Sequence, residues 1–152
     1  MIDKIDARLL TALQRDAGQS QQDLSEQLNL SPSQISRRRA RLEAEGFIKG
    51  QRAHLDAAKI GLGVQAFVQV VMAAHSEENA KSFVSLAQRT PEIVAVWTLT
   101  GDTDYMLRVY CTDLAALNTL VQAVLLPHPA VARVDSRIVM DQVKPDTGLP
   151  VP

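Results

Sequence analysis

Four guanidinium groups fall within five residues, at Arg37, Arg38, Arg39 and Arg41, and Ser31, Ser33, Gln34 and Ser36 stand just ahead of them. Arginine forks match phosphate oxygens and the acceptor edge of guanine, while short hydroxyl and amide side chains bond to base edges or phosphates. That chemistry suits a nucleic-acid duplex. The bland alternative is a solvated helix face whose arginines pair with Glu43 and Glu45. No rival chemistry is as concentrated. His54, His75 and His128 lie far apart, and the chain has no His-x-x-x-His, cysteine pair, glycine-rich phosphate loop or nucleophile elbow. The expectation is therefore no catalytic residues, no metal site and no cofactor. A second polar spot, Gly101-Asp102-Thr103-Asp104, interrupts two apolar stretches and reads locally as an ordinary hairpin turn.

The basic cluster needs an element to present it, and the flanking residues provide one. Ser31 can cap a helix, Pro32 suits its first position, and Gln34 can reach back to complete a capping box. This third helix should run from Pro32 to about Ala44 or Glu45, with Gly46 as its terminating glycine. Ahead of it, Ser20 and Asp23 open a short helix carrying Leu24 and Leu28, and Asn29 can take the left-handed conformation of a tight turn. A first helix carries Ile2, Ile5, Leu9, Leu10 and Leu13 at helical spacing, begins with Asp3 and Asp6, and should end at Gly18. Helix, short helix, turn, helix and then the extended Phe47-Ile48 stretch outline a winged helix-turn-helix.

The rest alternates differently. Val64–Ala73, Ile93–Thr100, Tyr105–Cys111 and the region Ala130–Val143 read as strands. Between them, one helix starts at Ser76 and packs Ala80, Phe83, Val84 and Ala87. The other is capped by Thr112 or Asp113 and packs Leu114, Leu117, Leu120, Val121, Val124 and Leu125. The sum is an α+β chain, with an N-terminal all-α winged helix-turn-helix and a C-terminal ferredoxin-like βαββαβ domain. The plan is 1–49 for the helix-turn-helix, 50–63 for a wing strand and linker, 64–143 for the βαββαβ domain, and 144–152 for a C-terminal tail. Two helices on one face of a four-stranded sheet leave the other face for a partner.

Composition sets limits on this reading. The chain has 152 residues, is 46% hydrophobic and carries a net charge of -1, so no global field draws it to nucleic acid. Residues 1–55 hold nine Lys and Arg against seven Asp and Glu, and the remainder seven against ten. Any affinity for DNA must come from a local patch. Cys111 is the single cysteine, so a disulfide within the chain is excluded. The acidic start is not a signal peptide and no apolar run spans a bilayer, so a cytoplasmic protein without membrane contact is expected.

Several motifs together resemble the Lrp/AsnC family of leucine-responsive and asparagine regulators. Its Asp-x-x-Asp-x-x-Ile-Leu opening is matched by Asp3, Asp6, Leu9 and Leu10. Its helix-turn-helix pattern is matched by Leu30-Ser31-Pro32-Ser33, Arg38, and Arg41-Leu42-Glu43-Ala44-Glu45-Gly46-Phe47-Ile48. Leu55-Asp56, Leu62-Gly63, the Gly101–Asp104 turn and Val143-Lys144 follow in family order. Arg39 departs from the pattern, standing where an apolar residue is usual, and Ala40 beside it is expected to share that packing. Ser25, Asn29 and Gln19 replace the family's frequent Ala, Gly and Arg.

The resemblance implies a sequence-specific transcription regulator that is not an enzyme. It implies a homodimer assembling further into a tetramer or an octamer, bound to palindromic double-stranded DNA through Ser31, Ser33, Gln34, Ser36, Arg37, Arg38 and Arg41. Two recognition helices related by a two-fold axis would read half-sites ~10 bp apart, or a multiple of that. It also implies a small, amino-acid-like effector near Gly101, Asp102, Thr103, Asp104 and Ser136, although Val134 is apolar where some members carry a hydroxyl. Two alternatives stay open: an architectural DNA protein without effector, and a sirohaem-decarboxylase-like enzyme on the same fold.

Overall fold

The computed structural model describes residues 2–73 and 76–152, so the expectation for His75 lies outside the described residues. The chain divides into two units. One reaches to His54 and takes in Lys144–Pro152, and the other is Leu55–Val143. Among the described residues no helix is long and apolar enough to cross a membrane.

The first unit holds α1 (Lys4–Arg15), α2 (Gln21–Leu28) and α3 (Pro32–Ala44). Each begins with a reciprocal capping box: Asp3 with Asp6, Ser20 with Asp23, and Ser31 with Gln34. Each box satisfies backbone N–H groups that a helix start leaves open. The α1 helix stops at Arg15 rather than at Gly18, because Asp16 turns to extended backbone and its carboxylate accepts from the Gly18 N–H at 2.8 Å. Asn29 ends α2 in the left-handed region at φ 54°, which makes the tight turn into α3. Leu9, Ala12 and Leu13 of α1, Leu24 and Leu28 of α2, and Ile35 and Leu42 of α3 form one buried cluster.

Gly46 leaves α3 at φ +77°, a conformation that costs a side chain dearly. Gly46→Ala is expected to destabilise this unit by about 1 kcal/mol, measured by urea denaturation. After it the chain folds back, with the Ile48 N–H donating to the Leu42 carbonyl. The expected wing strand within 50–63 does not form. Residues 47–56 have extended or irregular backbone without a strand partner, and a strand exists only by pairing. Residues 57–61 make a turn instead, with Asp56 accepting from the Lys59 N–H.

The second unit runs β1 (Val64–Met72), α4 (Glu77–Arg89), β2 (Ile93–Thr98), β3 (Tyr105–Cys111), α5 (Leu114–Thr119) and β4 (Val131–Ile138). The α5 helix continues through Leu125 with wider hydrogen bonds, as from the Leu126 N–H to the Val121 carbonyl. The sheet is antiparallel in the order β2-β3-β1-β4, the arrangement of a split βαββαβ unit. Strict alternation along β1 and β3 sends Ala66, Val68, Val70, Leu107 and Val109 to the core. Phe83 and Ala87 of α4, with Leu117, Leu120 and Leu125, cover that side. Asp113 rather than Thr112 caps α5, accepting from the Ala116 N–H at 2.8 Å. Leu114, expected on the buried face, is 58% exposed at the first helical position. The opposite parity places Phe67, Val71, Met106, Tyr110 and Trp97 on the sheet face that no helix of this unit covers.

Candidate nucleic-acid interface and effector region

Two buried apolar residues fix the rotation of α3. Ile35 and Leu42 are fully buried, and at 100° per residue Arg39 falls at the edge of their stripe, about 40° from Ile35. Its side chain is 27% exposed and escapes the core by reaching Glu43, Nε to Oε1 at 3.0 Å. The long arginine stem covers the apolar stripe while its head stays wet. Ala40 does not share this packing, since it is exposed on the far side.

That rotation sorts the remaining side chains. Ser33, Arg37, Ala40 and Ala44, spaced i, i+4, i+7 and i+11, point away from the core with Ser36 beside them, and all are exposed. No ion pair engages Arg37 among the described residues. Ser31 is committed to its cap, bonding the Gln34 N–H at 3.3 Å and the Ser33 hydroxyl at 3.0 Å. Gln34 spends its carbonyl oxygen on the Ser31 N–H at 2.9 Å, which leaves its amide NH2 to donate outward.

Arg38 and Arg41, expected among the DNA contacts, are also engaged by carboxylates of the first helix and its cap. Both lie on the flank of α3 that faces α1. Arg38 Nη1 is 2.7 Å from Asp3 Oδ2 and 2.7 Å from Asp6 Oδ1, while Arg41 Nη2 pairs with Asp6 Oδ2. Asp6 has no exposed surface. Burial alone would push its carboxyl pKa up, but the Asp3 N–H and the two guanidiniums overcome this and lower it to about 2. The Asp6 N–H and Arg38 likewise hold Asp3 below the usual carboxylate range. In turn, the hydrogen bonds that Arg38 donates to Asp3 and Asp6 raise its own pKa. Two of the four arginines therefore brace α3 against α1. Arg37, Arg38, Arg41 and Asp3 line a shallow depression of about 270 Å³, in which Arg38 and Arg41 are already paired with carboxylates.

In the second unit, Gly101 and Asp102 are exposed at the β2–β3 turn, and Thr103 and Asp104 are half-buried. Asp104 is structural as well as polar. Its N–H donates to the Val70 carbonyl at 3.1 Å, and its Oδ2 accepts from the Met72 N–H at 2.7 Å. It also lines a cavity of about 370 Å³ with Met72, Ser76, Glu77, Ala80, Thr98, Leu99 and Tyr105, room enough for a small amphipathic molecule. Gly101, Asp102 and Thr103 are not part of that lining. Ser136 is not either, lying exposed on β4 opposite Val68, across β1 from β3. Thr98, Leu99 and Glu77 were not singled out from the sequence. The available signal was Ser76, read only as a helix cap.

The described histidines do not converge. His54 is exposed at the end of the first unit. His128 packs edge-on to Phe83, bonds the Ser82 hydroxyl at 3.0 Å, and accepts from the Ala130 N–H through Nδ1 at 3.2 Å.

Residues 2–49 match a winged helix-turn-helix DNA-binding model, and residues 65–149 match the Lrp/AsnC ligand-binding domain. The chain is 37% identical over 151 residues to the DNA-binding transcriptional activator DecR of Escherichia coli, covering 99% of each. It is 33% identical to the glutamate uptake regulatory protein of Zymomonas mobilis, covering 99% of this chain and 92% of that one. Among solved structures it is similar to a transcriptional regulator from Neisseria meningitidis in complex with L-Met. There the TM-score is 0.95 at 33% identity, covering 99% and 97% of the two chains. The fold of Escherichia coli AsnC also matches, with a TM-score of 0.89 at 22% identity, covering 99% of each chain.

Proposed function

The chain belongs to the Lrp/AsnC family of DNA-binding transcription regulators with an effector-binding domain, and from that premise we propose how this member divides the work. The outward face of α3, with Ser33, Ser36, Arg37 and Ala40, enters the major groove. Arg37 reads a base edge, Ala40 offers a methyl to a thymine, and the serines and the Gln34 amide donate to bases or phosphates. Arg38 and Arg41 hold the helix through Asp6 and present only their remaining N–H groups to the backbone. The observation that carries this reading is the rotation of α3 fixed by Ile35 and Leu42.

Two such helices act together. The uncovered sheet face, with Phe67, Met106, Tyr110 and Trp97, is the surface on which a second copy packs. A dimer then presents paired recognition helices to a palindromic operator. The effector is amino-acid-like, as the L-Met complex of the Neisseria relative suggests. It sits by the Gly101–Asp104 turn, where Asp104 and Glu77 are the two carboxylates of a largely apolar cavity and accept an α-ammonium group while Leu99 and Met72 face a side chain. Such a ligand regulates only through different affinities for the two arrangements it connects.

Selection of bound fragments from random DNA, followed by footprinting, tests the first half. The expected product is a two-fold symmetric site protected on one duplex face, and failure to enrich any sequence leaves only an architectural role. L-methionine and other amino acids are then titrated while DNA affinity and oligomer size are followed. A shift in either supports the effector site, and no shift with any amino acid removes it.

A further inference from the structure

The chain enters the DNA-binding unit twice. It leaves at His54, and after β4 it returns with Lys144–Pro152. The returning segment is not a loose end. Gln14 of α1 donates from Nε2 to the Leu149 carbonyl at 3.0 Å and accepts the Leu149 N–H on Oε1 at 2.6 Å. A primary amide thereby pairs with both polar groups of one backbone residue, as a neighbouring strand would.

The neighbouring residues are fitted to the same purpose. At Gly148 a Cβ would fall 2.9 Å from Gln14 Cβ and Oε1, so only glycine allows this approach. Pro150 and Pro152 have no N–H to leave unsatisfied and hold the backbone extended, which lowers the entropy lost on docking. Val151 is half-buried and contributes to two grooves, one with Leu10, Leu13 and Phe47 and one with Ala12 and Leu28.

We propose that Gly148–Pro152 is an intramolecular peptide ligand for a groove on the helix-turn-helix unit, so that Lys144–Pro152 forms a strap that ties α1 to the end of β4. The DNA-binding unit is then held by a second, non-covalent tie besides the covalent linker after His54. A displacement of β4, the strand that carries Ser136, pulls on α1 through Gln14. From α1 it passes to α3, because Asp6 of α1 grips Arg38 and Arg41. The strap rests on the DNA-binding reading for its consequence but not for its existence.

The test uses the full chain with Gln14→Ala, Gly148→Val, and a truncation after Val143. Gln14 lies near the end of α1 and Gly148 in the tail, so the two point variants are disruptive in different elements. The first readout is hydrogen exchange of the Leu149 amide, which needs no DNA. It should be protected in the parent and lose that protection about tenfold or more in either point variant. The second is affinity for the selected operator and for the same operator with half a turn of DNA inserted between half-sites. The parent should discriminate strongly between them, and the freed variants should narrow that ratio about fivefold or more as their recognition helices gain reach. An unprotected Leu149 amide in the parent overturns the strap. So does spacing discrimination that is unchanged in all three variants. A parent that protects Leu149 but binds no DNA overturns the operator reading instead, and with it the role of the strap, while the docked peptide stands.

Discussion

Replacing Asp6 with alanine is expected to destabilise the helix-turn-helix unit by about 3–5 kcal/mol, the cost of breaking a buried ion pair by removing one partner. Asp6 is wholly buried and receives Arg38 Nη1 at 2.7 Å, Arg41, and the Asp3 N–H at 3.0 Å. Its removal leaves two guanidiniums facing each other without their shared counter-charge. It also breaks the box that starts α1. Small domains are stable by about 5–15 kcal/mol in total, so urea denaturation should show this unit melting far ahead of the parent. Asp6→Asn keeps an acceptor of the same size and should cost less.

The same residue sets an acid limit. Its pKa falls from 3.8 in the unfolded chain to about 2 in the fold, so its contribution is complete above the higher value. That contribution, about 2 kcal/mol, is lost as pH drops from 3.8 toward 2. Asp6→Asn should flatten this part of the stability profile. If it leaves the acid limb unchanged, the bridge is not what holds α3.

Much of this architecture could be read locally. Ser31-Pro32 with Gln34, and Ser20 with Asp23, announce helix starts because a cap needs only residues three apart. The alternation along Val64–Met72 and Tyr105–Cys111 gives strand and facing together. What could not be read are features that depend on distant partners. Arg37, Arg38, Arg39 and Arg41 look alike as a run, yet Arg38 and Arg41 belong to carboxylates 32 and 35 residues away. Arg39 keeps the family's apolar position by burying its stem rather than handing the role to Ala40. Phe47-Ile48 promises a strand, but extended residues without a neighbour stay irregular. The pairing of Gln14 with Leu149 bridges 135 positions and has no sequence signature beyond a glycine among prolines. The cavity by Asp104 likewise draws Ser76 and Glu77 from another element.

Arg37→Ala should weaken binding to the selected operator by about 1–3 kcal/mol per half-site, the discrimination carried by one good arginine contact to a base. Both half-sites of a dimer lose it together, so affinity should drop by orders of magnitude. Stability should hardly change, because Arg37 is exposed and makes no ion pair among the described residues. Arg38→Ala reverses that ratio. Its guanidinium braces Asp3 and Asp6, so the loss appears first in denaturation and only through it in DNA binding.

The kind of contact follows from how the Arg37→Ala loss is distributed. A base contact relaxes preference at one position of each half-site and leaves the salt dependence nearly intact. A phosphate contact lowers affinity evenly across sequences and reduces the salt slope by about one per half-site. The small side chains at Ser33, Ser36 and Ala40 bear on this choice, because a helix with short residues around one arginine can sit deep enough for that arginine to reach the base edge. Fluorescence anisotropy over a salt series, on the operator and on single-base variants of it, separates the two. If Arg37→Ala binds as the parent does while Arg38→Ala abolishes binding without loss of stability, then the flank facing α1 is the reading surface. The rotation assigned to α3 would then be wrong by about 100°.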